Sequence, residues 1–297
     1  MLKAIALILS AAIALSACGT SGSKGAKGTS RKPSKETART TTTLGSVPVT
    51  SISQSSPSWL ITYTAATKYL PETLSQTILS SPNNFVIFGP NQHPGGIGAK
   101  ALIDVKSVAA LQSQLQLGVP NGVYGVVVDL EHWSFTPLQE QQNPEQYYEE
   151  ASTLLHSRGL KLVATPGLDL FKGVGKGPLY EQILSSGLYT SLAKIADVVD
   201  IQAQSLENSP ALYAQFVTSA AQQIRDANPT VTILAGLTTS GRNGVVPTGS
   251  VLVEDASAVQ SSVSGFWINI PSPGATCPTC SALNPIPAID LLQSYLH

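Results

Sequence analysis

Gly125-Val126-Val127-Val128-Asp129-Leu130-Glu131 is a short apolar run closed by two acids, and its place among the neighbouring segments decides the fold. Asn143 and Pro144 open an amphipathic stretch with Tyr147, Ala151, Leu154 and Leu155 on one face, and Gly159 stops it. The next run, Leu160-Lys161-Leu162-Val163-Ala164-Thr165, is again short and rich in aliphatic side chains. Strand, helix and strand in this succession form the repeating unit of a parallel sheet.

The same alternation extends in both directions. Strands are expected at Leu60–Thr64, Phe85–Phe88 and Ala101–Val105 before it, and at Val198–Gln204, Val231–Gly236 and Gly265–Ile270 after it. Ser209 and Pro210 open a second well-marked helix with Tyr213, Phe216, Val217, Ala220 and Ile224 inward, terminated at Asn228-Pro229. Further helices fit Pro71–Leu79, Val108–Leu117, Leu179–Ala196, Ala256–Val263 and Pro287–Leu296. Eight strands with intervening helices predict a closed (β/α)8 barrel of the TIM type. An open doubly wound sheet more often has a Gly-rich phosphate turn after its first strand, and this chain has none there. About 240 residues suit one such domain.

That barrel is expected over residues 58–297, behind two other segments. Residues 1–17 carry Lys3, an apolar run from Ala4 to Leu15, then Ser16-Ala17 before Cys18, the pattern of a secretory signal. The run is too short for a spanning helix, which takes about 20 apolar residues. Leu15-Ser16-Ala17-Cys18 resembles the bacterial lipobox, which implies acylation of Cys18 and a lipid-anchored protein facing the extracytoplasmic side of a cell membrane. The alternative is an ordinary cleaved signal with a chance cysteine. Residues 18–57 read as a flexible linker rich in Gly, Ser, Thr and Lys, unable to bury enough apolar surface to offset its ordering entropy. Its bases, Lys24, Lys27, Arg31, Lys32, Lys35 and Arg39, suit either a spacer or contact with anionic headgroups.

The chain has 17 basic and 18 acidic residues, but the bases concentrate in that linker. Without Lys3, the six linker bases and Glu36, residues 58–297 hold 10 basic and 17 acidic residues, a net charge of −7. An acidic domain argues against nucleic acid as a partner, which needs a concentrated basic face. With four histidines (His93, His132, His156 and His297) spread along the chain, no metal centre is expected, and no cofactor. Cys277 and Cys280 lie in a Pro/Gly-rich loop, where a small disulfide is favoured over a redox or metal pair in an exported protein.

In a parallel barrel the chemistry sits at the C-terminal mouth of the strands. Side chains alternate along a strand, so Asp129 and Glu131 share a face with Val127. Two acids ending an apolar strand are costly unless something uses or pairs them. The bland alternative is a pair of salt-bridged or solvated loop acids. This segment resembles the chitinase and endo-N-acetylglucosaminidase family of glycoside hydrolases, whose fourth strand carries Asp-Gly-x-Asp-x-Asp-x-Glu. Gly125, Asp129 and Glu131 match; Tyr124 and Val127 replace the two earlier acids. The resemblance implies that Glu131 is the general acid/base and that Asp129 orients a substrate acetamido group. Trp267 on strand eight matches a tryptophan under the scissile sugar, although a strand tryptophan is also a common core residue. On strand six Ile201-Gln202-Ala203-Gln204 stands in place of the family's Met-x-Tyr-Asp. Gln202, Gln204, Trp133 and Asn269 are the other candidate sugar contacts, and Asp169 or Glu207 a candidate second carboxylate. Gly173-Val174-Gly175-Lys176-Gly177 lacks the ending of a phosphate loop. The expectation is a monomeric hydrolase-like protein acting on an extracellular or cell-envelope glycan. A non-catalytic barrel that binds a glycan or an envelope partner is the alternative.

Overall fold

A strand whose side chains alternate between two apolar environments has to be buried on both faces, and eight such strands close on each other here. The computed structural model describes residues 56–89, 92–241 and 245–296. The signal, Cys18, nearly all of the linker, Asn91, Arg242 and His297 lie outside the described residues. In chain order the elements are β1 (Ser58–Thr62), α1 (Tyr63–Lys68), α2 (Glu72–Ser80), β2 (Phe85–Phe88), β3 (Lys100–Val105), α3 (Val108–Leu117) and β4 (Val123–Val128). Next come α4 (Leu138–Gln142), α5 (Pro144–His156), β5 (Lys161–Ala164), a 3-10 turn (Leu168–Phe171), α6 (Leu179–Ser186), α7 (Leu188–Ile195) and β6 (Val198–Ile201). The ring is completed by α8 (Pro210–Ala227), β7 (Thr232–Thr238), α9 (Gly249–Val259), β8 (Gly265–Asn269) and α10 (Ile286–Tyr295).

The strands form a closed barrel, each pairing in parallel with its sequence neighbours and β8 returning to β1, where Leu60 faces Trp267. The expected (β/α)8 fold is therefore the observed one. Two cores divide the side chains. Leu60, Phe85, Ile87, Leu102, Val127, Val163, Val198, Leu234 and Trp267 fill the inside of the ring. The alternate positions, such as Val126, Val128, Leu162, Val199, Ile201 and Phe266, pack outward against the helices. This interleaving is a consequence of the two-residue period of a strand.

Several expected boundaries shift. Tyr63 and Thr64 belong to α1 rather than β1, because the Thr62 hydroxyl accepts from the Ala65 N–H and caps a helix there. The stretch Leu179–Ala196 is two helices, broken where Gly187 adopts φ 81°, a conformation costly for other residues. The helix expected at Ala256–Val263 starts earlier, at Gly249, with the Thr248 hydroxyl accepting from the Val251 N–H. Asn143 precedes α5 without capping it; its side-chain amide donates back to the Gln139 carbonyl. Cys277 and Cys280 are disulfide-bonded, as expected.

Candidate functional site at the barrel mouth

Hydrogen-bonded strand geometry ends at Val128, three residues short of the expected boundary. The extended path nevertheless continues. The Asp129 N–H donates to the Val105 carbonyl, and the Leu130 carbonyl accepts from the Gly167 N–H. Leu130 is fully buried in the outer core. Alternation then turns Asp129 and Glu131 into the barrel mouth above Val127.

Asp129 is only 3% exposed. Its Oδ1 accepts from the Thr165 hydroxyl at 3.1 Å and the Gln202 amide at 2.7 Å. Its Oδ2 lies 2.7 Å from the Lys106 ammonium, which also pairs with Asp104 at 2.6 Å. Gln202 spends its other amide hydrogen on the Thr165 carbonyl at 2.9 Å. Three donors thus occupy a carboxylate that has about four acceptor positions. A charge this deep persists because it is paired and hydrogen-bonded.

Glu131 is half-buried one step further out. Its side chain lies against Gly167, where an added Cβ would sit 2.8 Å from the Glu131 Cγ, so the close approach requires glycine. Asp169, two residues on, accepts from the His132 N–H at 3.0 Å and ties the two loops of the mouth together. Trp133 is held by its indole N–H to the Thr136 hydroxyl at 2.8 Å, with Phe135 edge-on at 5.4 Å. The Lys106 ammonium stands 5.3 Å over the Trp133 ring.

Charges here are tuned by burial and by one another. Burial pushes Asp104 up to about 6, with Lys106 pulling it down and Asp129 pushing it up. Burial alone would lower Lys106, but Asp129 and Asp104 outweigh it and hold its ammonium well above the usual lysine range. Asp200, fully buried on the inner face of β6, is raised by burial and then by Asp129. Its two carboxyl oxygens have no hydrogen-bond partner among the described residues.

The other expected site residues divide. Trp267 is 7% exposed and packs in the inner core, its indole N–H without a partner among the described residues. Gln204 lies across Gly236, where a Cβ would meet its amide at 2.5 Å. Asn269 ends β8, two positions beyond Trp267 and on the same face. Glu207 is 2% exposed and accepts from the Ser205 N–H at 2.7 Å and the Thr238 N–H at 3.0 Å. It brackets the end of β6 to the end of β7, where Ser205 holds φ 105°. No group of three or more His, Cys, Asp or Glu side chains among the described residues could hold a metal ion.

Sequence reasoning missed Asp104, Lys106, Thr165 and Asp200. The signal that singled out Asp129, an inward polar position near or just beyond the end of an apolar strand, was available for all four; Lys106 lies two residues beyond Asp104 in the same register.

No protein-family model and no curated protein matches the chain. Solved structures do match. A chitinase from Chromobacterium violaceum shares 12% identity over 81% of this chain and 98% of its own, with a TM-score of 0.47. The spore cortex-lytic enzyme SleL of Bacillus cereus shares 10% identity over 82% and 75% respectively, also at 0.47. A curdlan-specific exo-β-1,3-glucanase from Blastomyces gilchristii shares 12% over 80% and 97%, at 0.44. Likenesses this distant leave the chemistry open, since barrels host many unrelated reactions, and the site has to decide it.

Proposed function

We propose that this chain is an exported, lipid-anchored protein whose barrel cleaves a glycan, with Glu131 as general acid/base. The observation that carries the reading is the placement of Glu131. It follows the C-terminal end of β4, on the face where barrel chemistry is built, two residues beyond Asp129, whose carboxylate is buried and hydrogen-bonded. In a glycosidase one carboxyl group protonates the leaving oxygen and a second group or the substrate's own acetamido carbonyl handles the anomeric carbon. Asp129, with Lys106, Thr165 and Gln202 on its oxygens, serves as a fixed anion that stabilises positive charge developing at the sugar. In this reading Trp133 and Asn269 contact sugar at the rim, and Trp267 and Gln204 form its floor.

A non-catalytic glycan-binding barrel is the second reading, favoured by one feature. Ala203 and Gln204 stand where the resembled family has its acetamido-holding Tyr and Asp, and Gln202 beside them is spent on Asp129 and Thr165 rather than left for substrate. Hydrolysis of acetylated and plain oligosaccharides by the wild type and by Glu131→Gln separates the two. The enzyme reading expects a loss of at least about 100-fold, the scale of general acid–base catalysis. Activity unchanged by the substitution removes Glu131 from the mechanism, and no activity on any glycan leaves the binding reading.

A further inference from the structure

The outer wall of the barrel, beside the mouth, carries a second concavity. The end of α4, the first turns of α5, the end of the 3-10 turn and the α6–α7 junction line an open depression of about 460 Å³. Its lining includes Gln142, Asn143, Glu145, Gln146, Glu149 and Phe171. This surface has unused hydrogen-bonding capacity. Gln142, Gln146 and Glu149 are exposed, and none of their side chains bonds to a described residue. Asn143 spends its amide on Gln139 and keeps its carbonyl oxygen, while Glu145 gives one oxygen to the Ser191 hydroxyl and keeps the other. Phe171, half-buried and packed against the outer core, is the aromatic residue in this lining.

Planar amides and carboxylates offer paired donors and acceptors to vicinal hydroxyls, and an aromatic face offers apolar area to the C–H side of a sugar ring. The lining contains two carboxylates and no base, so it disfavours a polyanion. Phe171 closes the 3-10 turn that begins beyond Gly167, the residue packed on Glu131. Four residues at a rise of about 2 Å each put the groove within about 8 Å of the mouth along this path.

We propose that this groove is an accessory subsite for a glycan chain without negative charge, holding a stretch about two sugars away from the bond at Glu131. The proposal rests on the glycan reading of the mouth and narrows it to a polymeric, non-anionic ligand. The test uses the full chain carrying Glu131→Gln, so that ligand stays intact, and measures calorimetric binding of hexamers of N-acetylglucosamine, β-1,3-linked glucose and galacturonate. An uncharged hexamer binds, and Phe171→Ala weakens it about ten-fold. Gln146→Ala combined with Glu149→Ala, both exposed and harmless to folding, weakens it comparably. The galacturonate hexamer binds more weakly than the uncharged one. Uncharged hexamers that fail to bind, that bind groove variants as well as the parent, or that bind no better than galacturonate each overturn the proposal. Cleavage by the wild-type mouth with groove variants unaffected sinks the groove and spares the hydrolase. Groove-dependent binding without any cleavage does the reverse.

Discussion

Replacing Lys106 by methionine would remove the cation that lets two acids share the barrel mouth. Its ammonium sits 2.6 Å from Asp104 and 2.7 Å from Asp129, carboxylates whose side chains are 22% and 4% exposed. At an effective dielectric of about 20, each contact is worth roughly 6 kcal/mol before desolvation is subtracted. Taking the ammonium out of water cancels much of that, so the net cost of breaking the cluster is the smaller figure for an orphaned buried pair, about 3–5 kcal/mol at neutral pH. The loss must depend on pH. Lys106 is useful only while its partners are ionised, and Asp104 protonates as pH falls through about 6. The deficit of Lys106→Met, measured by urea unfolding monitored by circular dichroism, should therefore be largest at pH 8 and shrink by pH 5. Adding Asp104→Asn should recover at least about 1 kcal/mol at pH 8, because it removes one of the two facing charges. A deficit below 1 kcal/mol, or one that is the same at both pH values, would refute the account of the cluster.

Glu140, 2% exposed, accepts from the Val108 N–H at 2.6 Å and the Ala109 N–H at 3.1 Å, so it holds the start of α3. Glu140→Ala should cost about 3 kcal/mol and Glu140→Gln less, read by thermal unfolding; equal stability would remove its role. Asp255 on α9 is fully buried with both oxygens unpartnered among the described residues, and burial, then Glu207 and Glu254, push it up to about 8. Since its folded pKa exceeds the unfolded value of 3.8, its share of stability is intact below about pH 4 and is lost as pH rises to about 8. Asp255→Asn should flatten the fall in Tm across that window, and a parallel fall in both proteins would count against it. Cys18→Ala should move the protein from the membrane to the soluble fraction on cell fractionation; an unchanged distribution would dispose of the lipid anchor.

The alternation of short apolar runs with amphipathic stretches was enough to read the barrel, because each element's period reflects the surfaces it must bury. Val126 and Val128 pack outward and Val127 inward as a period of two requires. Element ends were less legible. Gly187 splits one apparent helix into two, and the hydroxyls of Thr62 and Thr248 start helices earlier than the apolar pattern announces. Both are local hydrogen-bonding or φ effects that apolar periodicity does not register.

The site was half legible. Asp129 and Glu131 could be singled out because two acids ending a buried strand need an explanation, and alternation alone aims them into the ring. Their partners could not be named, since Lys106, Thr165 and Gln202 lie 23, 36 and 73 residues from Asp129 along the chain. Glu207, a candidate second carboxylate by position, proved to be committed to two backbone N–H groups. The sequence by itself determined the parallel barrel and the pair of acids at its mouth, because both arise from side-chain period within single strands. Only the tertiary structure decided that one acid is locked beneath a lysine while the other stands at the rim, because pairing depends on which strands closure of the ring brings side by side.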